Sequence, residues 1–165
     1  MSINTLEIRK MRRLIATGII ALNTFTILNL PASVKAEDDR SCTAAIAKAQ
    51  RQIETGRSLE VSTRSSDLSE FESDYPDGRP MSYQFVMSGS AVGAVMNSPK
   101  FMKVIATNVI QSCSSVGKVS FAVNGSGWGL SLGVLPGGRV DFFECFESQG
   151  RNSPNLVWGQ EYCNL

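Results

Sequence analysis

Histidine is absent from all 165 residues, and that absence excludes more chemistry than any residue present suggests. Without it there can be no Ser-His-Asp or Cys-His nucleophile, no H-E-x-x-H zinc site and no two-His facial triad. The four cysteines, Cys42, Cys113, Cys145 and Cys163, contain no C-x-x-C pair, so zinc ligation has no starting point. Beyond residue 13 there is no run of Lys or Arg to neutralise a phosphate backbone, which argues against a nucleic-acid partner. No internal repeat is present.

The near-cancelled charge, 16 Lys+Arg against 15 Asp+Glu, joins two unlike parts. Arg9, Lys10, Arg12 and Arg13 precede an apolar run from Leu14 to Leu30, followed by Pro31 and Val34-Lys35-Ala36. This order of basic end, short apolar stretch and small residues describes a secretory signal peptide over residues 1–36, with cleavage after Ala36. Asn23, Thr24, Thr26 and Asn29 dilute the run and disfavour the rival reading of a permanent anchor. A twin-arginine signal using Arg12 and Arg13 is the other rival. Residues 1–36 carry five of the basic residues but only Glu7 of the acidic ones, leaving 11 against 14, a net charge of −3, over 37–165. That exported part is expected to form one domain with no membrane contact once the signal is removed.

All four cysteines lie in the exported part, where an oxidising compartment favours two disulfides. Ser41 can cap a helix in which Cys42, Ala45, Ile46, Ala49 and Ile53 recur at helical spacing until Gly56, giving a helix over 42–55. The Ser-rich, acidic stretch 55–80 reads as a long surface loop. Tyr83, Phe85 and Met87 alternate in a strand over 82–88, a short helix follows at 91–96, and Ser98-Pro99 opens a helix over 99–113 with a stripe of Met102, Ile105, Ala106, Val109 and Ile110. Three alternating runs, 119–123, 128–134 and 140–146, are separated by Asn124-Gly125-Ser126-Gly127 and Pro136-Gly137-Gly138, which predicts an antiparallel meander. A last short strand is expected at 156–159. The fold class is therefore α+β: an antiparallel sheet of four or five strands with two main helices packed on one face.

Cys113 precedes the first meander strand and Cys145 ends the third, so the two are expected at opposite ends of the sheet, about 20 Å apart at ~3.3 Å per residue, which disfavours a bond between them. Pairing 113 with 163 and 42 with 145 is favoured over 42 with 113 and 145 with 163, on the assumption that the tail returns along the sheet through Trp158.

The stretch Ser114 to Phe121 after Cys113, the lone Trp128 in a glycine-rich hairpin, Phe143-Glu144-Cys145, and Val157-Trp158-Gly159 ahead of Cys163 resemble small exported cyanobacterial proteins of unassigned function over residues 81–165. The resemblance implies export, a shared α+β core and a periplasmic, extracellular or, in a photosynthetic source, lumenal home. It supplies no catalytic residue.

Among chemical candidates, Gly125-Ser126-Gly127 lies between strands and reads as a hairpin turn, because a phosphate cradle should open a helix. Gly89-Ser90 does sit between a strand and a helix, with no cation before Lys100. Ser115-Val116-Gly117-Lys118 matches S-x-x-K, but Gly117 interrupts the helix needed to align its two ends. Lys118 is expected to open a strand with its ammonium in water. Asp67, Glu70, Glu72, Asp74 and Asp77 offer oxygens for calcium without the spacing of an EF-hand, so a solvated acidic loop is the simpler reading. Asp141 and Glu144 beside Phe142 are the other carboxylates that could serve as acid or base. Met81, Met87, Met96 and Met102 read as gap-filling rather than as a copper(I) site. Trp128 and Trp158 are either lids on a small core or contacts for a partner. No cofactor is expected. The sequence favours a non-enzymatic exported domain binding a protein or a cell-wall glycan, with a carboxylate-dependent hydrolase of the glycosidase type as the alternative.

Overall fold

The computed structural model describes residues 32–70, 72, 74–147, 150 and 155–162. Most of the expected signal segment, residues 1–31, lies outside this range, as does Cys163. The first helix, α1 (Ala32–Glu54), begins ten residues before the expected start at Cys42, so the expected cleavage boundary at Ala36 falls within its backbone. Ser41 is consequently no cap. Its hydroxyl donates to the Asp38 and Ser112 carbonyls at 2.9 and 3.0 Å, the second tying α1 to the next long helix. Gly56, at φ 70°, ends the helical run, and Arg57 Nη1 donates to the carbonyls of Gln52, Ile53 and Thr55 while its guanidinium lies 4.7 Å from the Phe101 ring centroid. The helix terminus thus has both its orphan acceptors and its dipole satisfied by one cation.

The expected loop over 55–80 contains β1 (Glu60–Asp67), paired antiparallel along its length with β2 (Met81–Ser88). Its alternation is invisible in the sequence because Val61 is its only buried side chain; Ser62 to Asp67 are all exposed. A single 3-10 turn, Leu68–Glu70, follows, with Leu68 buried. After β2 come α2 (Val92–Met96) and α3 (Pro99–Ser112), close to their expected limits. Pro99 occupies the first turn as expected, but Ser98 Oγ donates back to Ala94 O at 2.7 Å instead of capping α3. At the far end of α3, Arg79 Nη1 reaches the carbonyls of Ile110, Cys113 and Val116.

The sheet is mixed rather than antiparallel. Its order is β1-β2-β3-β4-β5, with β3 at Val116–Val123, β4 at Gly129–Val134 and β5 at Val140–Phe142. β2 and β3 run parallel, because the α2–α3 crossover returns the chain to the same end of the sheet before the next strand starts. The remaining neighbours are antiparallel. α1 contacts β1, and α3 contacts β3, β4 and β5. One sheet face, carrying Val61, Phe85, Met87, Val119, Phe121 and Leu132, forms with Ile53, Met102, Ile105 and Val109 a contiguous apolar core. Phe85 and Phe121 are register partners with ring centroids 5.6 Å apart.

The third meander strand does not run through to 146. It breaks at Phe143, whose N–H donates to Ser131 O at 2.9 Å, and the chain leaves the main sheet as β6 (Glu144–Phe146), which pairs in parallel with β7 (Gln160–Tyr162) in a separate two-stranded sheet. The last strand is thus four residues beyond the expected 156–159 segment. This departure overturns the favoured disulfide pairing. Cys42 bonds Cys113, with Cα atoms 4.5 Å apart, because α1 packs on α3 and delivers Cys42 to its C-terminal end. Cys145 is also disulfide-bonded, and it lies in the separate two-stranded sheet rather than at the end of a third meander strand. Among the described residues no helix is long and apolar enough to cross a membrane.

Candidate functional site

The helices cover one face of the sheet; the opposite face is where polar side chains collect. Period-two alternation in β2, β3 and β4 that sends Phe85, Phe121 and Leu132 to the core sends Ser82, Gln84, Ser120 and Ser131 the other way. Ser120 and Ser131 are cross-strand partners whose hydroxyls lie 2.9 Å apart, both buried. Ser82 is buried too, and Gln84 stands opposite Arg64 of β1. Together they floor a groove of about 420 Å³ that also takes in Ser66, Lys118 and Glu161.

The C-terminal segment forms the groove's wall. Gly133 of β4 is buried and has no side chain, and Phe143 occupies that space. Trp158 stands edge-on to Phe143 with centroids 5.0 Å apart and donates its indole N–H to Val134 O at 2.8 Å. Glu161 accepts the Ser131 N–H at 3.0 Å, taking the place of a strand beyond the end of β5. A second depression of about 430 Å³ adjoins, lined by Glu72, Asp74, Trp158 and Tyr162, and shares Lys118 and Glu161 with the first. The two therefore lie side by side, with Lys118 and Glu161 on their common border.

Lys118 is not the solvated ammonium that its sequence context suggests. It is half-buried, with Nζ 2.5 Å from Glu72 Oε1 and 5.2 Å from the centroid of Phe143. Its partner in the S-x-x-K pattern, Ser115, belongs to the turn before β3, and no helix aligns the two.

The five calcium candidates are not gathered. Asp67 ends β1 and accepts both the N–H and the hydroxyl of Ser69, at 2.9 and 2.6 Å; the hydroxyl contact chiefly holds its carboxyl below the usual range. Glu70 and Asp77 are exposed in turns, Glu72 pairs with Lys118, and Asp74 lines the second depression. Among the described residues no three His, Cys, Asp or Glu side chains converge on a point where an ion could sit. Asp141 bonds Lys103 at 2.9 Å, and Glu144 is exposed on β6. The tryptophans separate: Trp158 is a half-buried lid, whereas Trp128 stands exposed in the turn before Gly129, its backbone N–H donating to Ser126 Oγ at 3.1 Å.

Arg64, Gln84, Ser82, Ser120, Ser131 and Glu161 were not singled out by the sequence. The available signal was only the period-two alternation itself, which puts Ser82 and Gln84, Lys118 and Ser120, and Ser131 on the face opposite the apolar positions. Comparison with family models, with curated protein sequences and with solved structures finds no match to this chain.

Proposed function

We propose that the chain is an exported, non-enzymatic binding domain that holds a hydroxyl-rich ligand, a cell-envelope glycan, in the groove on the open face of its sheet. The observation that carries this reading is the hydroxyl and amide floor of Ser82, Gln84, Ser120 and Ser131, sunk into a groove bounded by the Trp158 wall. Sugar hydroxyls exchange donor and acceptor roles readily with serine and amide groups, and a glycan strand is long enough to reach from the groove to the adjoining depression. The hydrolase alternative is disfavoured because, of the three carboxylates lining the two depressions, Glu72 is taken by Lys118 and Glu161 by the Ser131 N–H, which leaves Asp74 as a single acid where a pair is needed.

Export rests on the N-terminal basic and apolar segment, with cleavage after Ala36, and on the Cys42–Cys113 bond, which suits an oxidising compartment. Cys145 takes Cys163 as its partner by elimination, since Cys42 and Cys113 are bound to each other. Cosedimentation with insoluble envelope polysaccharide tests the function. The purified exported part should pellet with the polysaccharide, and Gln84→Leu, which keeps the strand but removes the amide, should remain in the supernatant. Equal pelleting of both, or of neither, would contradict the assignment.

A further inference from the structure

The charges around the groove are unequally engaged. Lys118 is matched by Glu72, and Glu161 is held by the Ser131 N–H. Arg64 lines the same groove, yet among the described residues it has no hydrogen-bond, ion-pair or ring partner. Its neighbour across the strand pair, Gln84, likewise has no side-chain hydrogen bond among the described residues. A guanidinium presents a rigid planar fork of donors that matches a carboxylate in two parallel bonds, and the adjacent amide can donate a third.

Resting on the glycan reading above, we infer that Arg64 and Gln84 form an anchoring subsite for the carboxylate of an acidic saccharide, so that the ligand class is a uronic-acid-containing glycan rather than a neutral one. The remaining sugar hydroxyls would meet Ser66, Ser82 and the Ser120–Ser131 pair. The exported part carries a net charge of −3, so the attraction is a local contact, not a long-range field.

Calorimetric titration with trigalacturonate and with its fully methyl-esterified form separates the two levels of the argument, because the esters keep the rings and their hydroxyls while capping each carboxylate with a neutral methyl ester. Trigalacturonate should bind the wild type roughly tenfold more tightly than the ester, the loss expected for one charge-assisted contact. Arg64→Gln should abolish that difference, and Arg64→Lys, which keeps the charge without the fork, should restore only part of it. An unchanged thermal midpoint in both variants confirms that they are folded, as expected for an exposed position. Equal binding of both saccharides to the wild type would overturn the carboxylate subsite while leaving the glycan groove standing. Binding of neither would overturn both.

Discussion

The ring of Phe143 occupies the space that a side chain at Gly133 would take: a Cβ built there would stand 2.5 Å from Phe143 Cε1 and 2.9 Å from Cζ. Gly133 is the register partner of Lys118, whose ammonium lies over the same ring, so the glycine lets the C-terminal wall close on the sheet. Gly133→Ala should therefore overpack the contact and destabilise the protein by about 1–3 kcal/mol. Urea unfolding followed by Trp158 fluorescence in a Trp128→Phe background checks this, and an unchanged midpoint would show that the wall yields freely.

The Cys42–Cys113 bond spans 71 residues and staples α1 to the end of α3. Replacing both cysteines by serine should cost about 2–5 kcal/mol. Peptide mapping without reductant should recover the 42–113 pair, and the 145–163 pair beside it. Recovery of 42–145 or 113–163 peptides would contradict both assignments.

Arg79 gathers three carbonyls, those of Ile110, Cys113 and Val116, on one guanidinium nitrogen at 2.7 to 3.3 Å. Arg79→Ala leaves these acceptors without that donor at a half-buried helix end and should cost about 1.5–3 kcal/mol. Hydrogen exchange should rise first in the last turn of α3. Protection unchanged there would remove the capping role.

Asp141 gives the acid limb of stability a local source. The Lys103 hydrogen bond chiefly lowers its pKa from the ordinary 3.8; partial burial opposes this, and the Phe142 N–H and the charges of Lys103 and Arg139 add to the lowering. A carboxyl depressed in the folded state contributes stability that is complete above the unfolded value and lost as pH falls through the folded one. Asp141→Asn should flatten the stability profile below about pH 4 relative to the wild type. The pair is partly exposed, so its contribution at neutral pH should be about 0.2–1 kcal/mol and should shrink in salt. Denaturation midpoints between pH 2 and 7 decide it; parallel curves would show that Asp141 plays no part.

Legibility in the sequence followed burial. α3 and the cores of β2, β3 and β4 were readable because their apolar residues repeat at the helical or strand period and do lie inside. β1 was not, since seven of its eight residues are exposed and its strand state comes from backbone pairing with β2. The break at Phe143 was hidden because Phe142 and Phe143 are both apolar: one joins the helix-side core, the other crosses to Gly133, and only the tertiary contact separates them. The groove was hidden for a related reason. Ser120 and Ser131 look like ordinary solvent-facing strand residues until the C-terminal segment brings Glu161 beside them and makes the face a groove.

Amide chemical-shift mapping of 15N-labelled residues 37–165 with trigalacturonate tests the central claim most directly, because it reports where on the sheet a ligand sits. Saturable shifts should appear at Gln84, Ser120, Gly129 and Ser131 and leave Ile46, Ile53 and Val109 on the opposite, helix-packed side unmoved. Shifts confined to α1 and α3, or none at all, would contradict the assignment of the groove as the binding site.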